Sequence, residues 1–329
     1  MAPWSICCTQ RKTIVPVLVQ ALGRQAYSCF LMCYFSDQVT SAHVAVLLPL
    51  VVLTAVLNSL VIVTIWKDPF KNLKAIPNYL ILNLAVSDLL VSIPGELLIV
   101  LQYWFPHGGI LRAADMTVHL GFSSSGLTML GLAVERLLVI SFPIKSADYL
   151  TYTKLKLGIL CIWLLAGLMA FLPELQWDSV FRNRVIISDA VCIPSFFLIC
   201  SCYARIFFLV RKGWYRNLTT EGAGFEERQS LTEISREIES RKKRERSVIR
   251  CVALLLGLLI LSWTPYKVLA NMIQFCGKRC AITYECKVIA QGLIFLYPLM
   301  NPIVYALCTR KFRQALWKMI YKYKFARPR

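Results

Sequence analysis

Apolar residues gather along this chain in seven stretches of about 20 residues, divided by polar and charged segments. They are Val44–Trp66, Ile76–Leu101, Met116–Phe142, Leu155–Leu172, Val191–Val210, Val248–Gln274 and Val288–Leu307. Each can cross a hydrocarbon core about 30 Å thick as an α-helix. Lipid offers backbone groups no hydrogen-bond partners, so only helices and closed barrels span it. No helix-sized repeat and no Gly- or Ser-rich linker breaks the series. The pattern predicts one all-α membrane domain, a seven-helix bundle over residues 44–308. A segment 1–43 precedes it and a tail 309–329 follows.

Composition agrees with that pattern. With 57% hydrophobic residues and a mean hydropathy of +0.58, the chain is too apolar for an ordinary soluble domain. The net charge of +19 adds orientation. Most of the 37 Lys and Arg fall in connections one, three and five and in the tail, among them Lys67, Lys71, Lys74, Lys145, Lys154, Arg241-Lys242-Lys243-Arg244 and Arg310 to Arg329. The positive-inside rule places those segments in the cytosol and the N-terminus outside, in a multi-pass protein of the plasma membrane. Charge that borders a bilayer faces anionic headgroups, which argues for lipid as the partner and against nucleic acid. Three unclustered His residues argue against a membrane metallohydrolase, and the lack of a repeat argues against a transporter. No enzyme is expected.

Three smaller features stay open in the sequence. Arg11-Lys12 before Thr13–Leu22 loosely resembles a signal segment. Of 13 Cys, the outer group is Cys7, Cys8, Cys29, Cys33, Cys192, Cys276, Cys280 and Cys286. A Cys276–Cys280 or a Cys280–Cys286 bridge suits an oxidising compartment. The long connection Lys212 to Ser247 is polar in its middle, and Ser230 to Ser247 suits an extension of span six.

The polar residues inside the spans are the informative ones, because each costs free energy unless it meets protein, water or an ion. Span one carries Asn58, span two Asp88 in Leu82-Asn83-Leu84-Ala85-Val86-Ser87-Asp88-Leu89, and span three ends in Glu135-Arg136-Leu137. Span four has Trp163, span five Pro194 and Tyr203, span six Ser262-Trp263-Thr264-Pro265, and span seven Asn301-Pro302-Ile303-Val304-Tyr305. A Pro in a helix frees a backbone carbonyl and bends the chain, so the last motif suits a hinge. In order along the spans, these motifs resemble those of the rhodopsin-like (class A) G-protein-coupled receptors, from about Val44 to Tyr321. Phe312 stands at the spacing of that family's short amphipathic eighth helix.

The resemblance implies roles. Asp88 is expected to form a polar core with Asn58, Ser125 and Asn301, able to take a sodium ion. Arg136, flanked by Glu135, is expected to contact Glu245, which lies 20 residues before Pro265, and so lock spans three and six at rest. Trp263 above Pro265 is the expected lever, with Tyr203, Pro302 and Tyr305 in the same switch. Its cytosolic partner is a heterotrimeric G protein.

Within the family, Phe70 to Leu80, Leu130 to Arg136 and Trp263 to Tyr266 look closest to opsins. Opsins hold retinal through a Lys seven residues before the Pro of the span-seven motif, and Phe295 stands there. Ala114 stands at the counterion position, and Leu111 where the family has a disulfide Cys, so retinal is not expected and Cys192 lacks its usual mate. Tyr203 lies nine residues after Pro194, where the family has eight. Val118 replaces the Asp of amine receptors. The candidate pocket is Glu96, Val118, His119, Phe122, Tyr266, Lys267 and Phe295. Lys267 is expected to pair with Glu96 or with an anionic ligand group. The reading is a receptor for a small-molecule or peptide ligand. The alternative is an opsin-type photoreceptor that holds retinal noncovalently or through Lys267.

Overall fold

The computed structural model describes residues 41–105, 107–142, 145–175, 180–218, 253–272 and 284–325. Glu245, Cys276, Cys280, the N-terminal Cys residues and the centre of the long connection lie outside the described residues. Seven helices among those described are long and apolar enough to cross a membrane.

Helix α1 runs Ser41–Lys67. It stops at Asp68, whose φ of 36 leaves the helical region. The Asp68 carboxylate accepts from the backbone N–H of Asn72 (2.9 Å) and Leu73 (3.1 Å), which fixes the turn. Helix α2, Ile76–Trp104, begins with Pro77, whose missing N–H costs nothing in a first turn. Its middle, Val91–Glu96, widens to a π-turn around Pro94, which cannot donate a backbone bond to the preceding turn.

Helix α3, Gly108–Ser141, is capped by His107, whose Nδ1 accepts from Gly109 N–H at 3.1 Å. A one-turn helix, Ser146–Tyr149, leads to α4, Tyr152–Phe171, capped by the Thr151 side chain. Helices α5 (Val180–Leu218), α6 (Ala253–Met272), α7 (Tyr284–Cys308) and α8 (Arg310–Phe325) complete the described chain. The hydropathy windows misjudge two ends. Helix α3 starts at Gly108 rather than Met116, and α5 at Val180 rather than Val191. A hydropathy window registers the apolar part of a helix, whereas the hydrogen-bonded backbone continues into polar turns beyond it.

Helix α3 is the axle, packed against α2, α4 and α5. It meets α2 at Gly121, where a Cβ would stand 2.6 Å from Val91 Cγ2 and 2.9 Å from the Ser87 carbonyl. Close backbone approach at small residues is how helices associate in lipid, where apolar side chains gain little from burial. Two apolar cores form along the bundle. One, around Leu84, Met129 and Tyr305, lies toward the Arg136 end; the other, around Val91, Phe122, Phe295 and Tyr297, lies toward the Lys267 end. Helix α8 seats Phe312 and Ala315 inward, and its Lys318 Nζ reaches the Pro69 carbonyl at 3.2 Å.

Candidate functional site

The polar centre joins three helices. Asp88 of α2 is fully buried. Asn301 Nδ2 of α7 donates to its Oδ2 at 2.8 Å, and Ser125 Oγ of α3 to its Oδ1 at 3.4 Å. Tyr297 is fully buried on the same helix as Asn301, one turn away. Asn58 was expected here as well, but its amide goes elsewhere. Its Nδ2 donates to the carbonyls of Thr54 and Pro298, both at 3.1 Å. The physical reason is Pro302, which has no N–H to offer the residue four places before it, so the Pro298 carbonyl takes a donor from α1 instead. Asn58 thus ties α1 to the α7 bend.

A second polar run, one turn along, links α2, α3 and α4. Asn83 Nδ2 donates to Thr128 Oγ1 at 2.7 Å, and Trp163 Nε1 donates to Asn83 Oδ1 at 2.9 Å. Ser87 and Ser124 hydroxyls lie 2.8 Å apart. Of these residues only Trp163 was singled out from its motif. The others carry a signal all the same, since Asn83 and Ser87 share a helix face by their spacing of four.

At the Arg136 end, Arg136 Nε lies 2.8 Å from Glu135 Oε2, an ion pair between neighbours along α3. Tyr305 is buried and Tyr203 half-buried beside the same core. Pro302 is buried in α7, and Pro265 half-buried in α6. The proposed partner Glu245 falls outside the described residues.

At the opposite end, Trp263 packs edge-on to Phe122, with ring centroids 5.3 Å apart, and Phe122 stacks on Phe295 at 6.0 Å. Phe122 and Phe295 are buried. Phe295 and Val118 are buried in the core here, with Tyr266 half-buried against it. The open space lies beside them, a cavity of about 250 Å³ between α3, α4, α5 and α6. Of the expected pocket residues, only Phe122 and Lys267 line it, with Trp263.

Lys267 corrects another expectation. Its Nζ does not meet Glu96. It donates to Asp189 Oδ1 at 2.7 Å and to Ser188 Oγ at 2.5 Å, both on α5. Asn271 Nδ2, one turn further along α6, donates to Asp189 Oδ2 at 2.8 Å. Asp189 escaped the sequence reading because it precedes the apolar window of span five. The spacing of Lys267 and Asn271 by four on one helix face was the available hint. Glu96 is buried in the α2 π-turn, and its carboxylate has no hydrogen-bond partner among the described residues. His119 Nε2 lies 3.7 Å from Asp115 Oδ1.

Leu111 is buried, and the residue after it makes the tie. Arg112 Nε donates to Glu174 Oε2 at 2.5 Å, joining the start of α3 to the 3₁₀ turn Leu172–Leu175 that follows α4. Cys192 is a free thiol, 3.7 Å from Ser188 Oγ.

Comparison with known proteins places this architecture. The chain is 26% identical over 304 residues to "Rhodopsin, GQ-coupled" of Mizuhopecten yessoensis, covering 84% of this chain and 59% of that protein. It is 24% identical over 313 residues to the adenosine receptor A2a of Homo sapiens, covering 85% and 72%. The chain spans little more than half the length of the opsin relatives it matches. Its fold superposes on squid rhodopsin with a TM-score of 0.74 at 19% identity, over 89% of each chain. The family model described as "7 transmembrane receptor (rhodopsin family)" matches residues 57–305. That match takes in the Asp88 centre, the Glu135-Arg136 pair and the Pro302 bend together, and the chain belongs to the rhodopsin family of seven-transmembrane receptors.

Proposed function

We propose that this protein sits in the plasma membrane with its N-terminus outside and passes an external stimulus to a cytosolic heterotrimeric G protein. As a member of a receptor family it is not an enzyme. The observation that carries the reading is the buried hydrogen bond from Asn301 to Asp88, set at the Pro302 bend. A carboxylate in the membrane is costly unless it has work to do or partners to meet. Here the partners come from two other helices, α3 and α7, so any shift of α7 against α2 and α3 must break and remake them. Such a junction relays motion from the Lys267 end to Arg136.

The donor set at Asp88 also fits a sodium ion. Beside its carboxylate stand Ser125 Oγ and Asn301 Oδ1, the latter a buried oxygen with no hydrogen-bond partner among the described residues. Hard cations take such oxygens. Retinal does not fit at Phe295. An aromatic ring stacked on Phe122 offers no amine for a Schiff base. The photoreceptor alternative holds retinal noncovalently or through Lys267, and in the second case Asp189 rather than Glu96 would be the counterion.

The test is nucleotide exchange on a co-expressed heterotrimer. Arg136→Ala is expected to abolish stimulated exchange, and Glu245→Ala to raise basal exchange if that residue locks Arg136. Unchanged exchange in both variants at normal surface levels would sink the coupling reading. An absorption scan after incubation with 11-cis-retinal settles the pigment. No visible band is expected, and a red-shifted band lost in Lys267→Ala would make the protein a photoreceptor.

A further inference from the structure

The cavity between α3, α4, α5 and α6 has an apolar wall and one polar end, and that end is chemically specific. Phe122, Leu259, Trp263 and Phe196 are among its apolar lining, and Asp189, Lys267 and Asn271 close it. An ammonium group has three N–H donors. Two of those of Lys267 are used, on Asp189 Oδ1 and Ser188 Oγ. Both oxygens of Asp189 are occupied in turn, one by Lys267 and one by Asn271. The cluster is therefore neutral in sum, each Asp189 oxygen already accepts one hydrogen bond, and one ammonium N–H remains.

The geometry points to a neutral, largely apolar ligand with a single oxygen acceptor, its body in the cavity and its oxygen on the Lys267 ammonium. This deepens the receptor reading by naming the chemical class of the stimulus, and it rests on that reading only for the signalling consequence. A carboxylate ligand would face Asp189 and leave a net negative charge in a low-dielectric site. A cationic ligand would leave a net positive charge in the same low-dielectric site. A hydrocarbon would fill the cavity but leave the N–H unmet. A neutral carbonyl oxygen completes the ammonium without disturbing either partner.

The probes are four compounds on one carbon skeleton: menthone (a ketone), p-menthane (the hydrocarbon), menthylamine and menthane carboxylic acid. Binding is read as the shift in thermal unfolding midpoint of the purified full-length receptor, with no G protein present. Menthone is expected to raise the midpoint most. Its apparent affinity should fall about tenfold or more when the hydrogen bond to a charged donor is removed. Lys267→Met alone strands Asp189, so the decisive variant is Lys267→Met with Asp189→Asn, which removes both charges together. A larger shift with the amine or the acid, equal shifts for menthone and p-menthane, a menthone shift that persists in the double variant, or no shift with any probe overturns the assignment. Nucleotide exchange measured separately on the same protein keeps the two readings apart. Exchange without the ketone preference sinks this inference alone, and a ketone preference without exchange sinks the receptor reading alone.

Discussion

Helices α2, α3 and α7 on one side, and α4, α5 and α6 on the other, are built by different rules. In α2 and α7, 56% of the central window is buried inside the bundle, against 17% in α4 and 22% in α5. The first group is joined by a string of side-chain hydrogen bonds around Asp88, Ser87 and Asn83, and by the close approach at Gly121. In the second group α5 and α6 meet at one polar cluster among the described residues, Asp189 with Lys267 and Asn271, while α4 is tied through Trp163 to Asn83; with α3 these helices line the cavity. Apolar burial does little to hold helices together in lipid, so cohesion follows backbone proximity and hydrogen bonds. The half that has both is a frame. The half that has a cavity and one ion pair has contacts still to gain, and a ligand can supply them.

The sharpest way to break this contrast is to overfill each half. Gly121→Leu must push against the Ser87 carbonyl, a backbone atom that cannot swing aside. Overpacking typically costs about 1–3 kcal/mol, and with a rigid neighbour the upper end is expected. The folded receptor should be largely lost from the surface. Gly167→Ala on α4 has nothing within 4 Å of the added methyl and should leave the unfolding free energy within about 1 kcal/mol of the parent. Equal behaviour of the two variants would erase the distinction.

A middle-sized effect is expected at the Asp88 centre. Asn301→Ala removes the 2.8 Å donor from a fully buried carboxylate. A loss of about 1–2 kcal/mol follows, near the top of the range for hydrogen bonds between membrane helices. Thermal unfolding in detergent reads it directly. Ser125→Ala removes only the 3.4 Å contact and should cost less. The reverse order would show that the α3 contact, not the α7 contact, holds the centre.

The smallest effect concerns the tie between Arg112 and Glu174. It joins α3 to the turn after α4 next to Leu111, so it bridges the two halves at a point where Leu111 offers no thiol. Partly exposed ion pairs contribute about 0–1 kcal/mol. Arg112→Glu should lower the midpoint by that order, and adding Glu174→Arg should restore it. Failure of the double reversal to recover would mean the pair does not bind the halves together.

What was legible in the sequence follows the same divide. The spans were legible because about 20 apolar residues in a row have few other uses. The Asp88 and Asn301 pair was legible because intramembrane polar groups are rare and must find partners. The Asn58 contact was not, because it depends on which carbonyl Pro302 frees, a three-dimensional matter. The cavity was the least legible feature. Phe295 and Val118 looked like pocket and lie buried in core, with Tyr266 half-buried against it, since an apolar side chain reads the same in either place. Asp189 lay ahead of the apolar stretch read as span five, so the sequence left Lys267 with only Glu96 or a ligand group as possible partners. The π-turn at Pro94 is visible as Pro94-Gly95 only once its widened geometry is known.

The proposed coupling requires that Arg136 be held at rest and released to engage a G protein. Glu135 Oε2 stands 2.8 Å from its guanidinium, so Glu135→Gln weakens that hold without changing the side chain's size. A lost ion-pair attraction of about 1.4 kcal/mol corresponds to about a tenfold shift in the resting equilibrium. The most direct measurement is basal nucleotide exchange on a reconstituted heterotrimer by the parent receptor, Glu135→Gln, and Glu135→Gln combined with Arg136→Ala, at matched surface levels. The account predicts a rise of about that order in the single variant and its loss in the double. Exchange that stays at the parent level in the single variant, or stays high without Arg136, would contradict it.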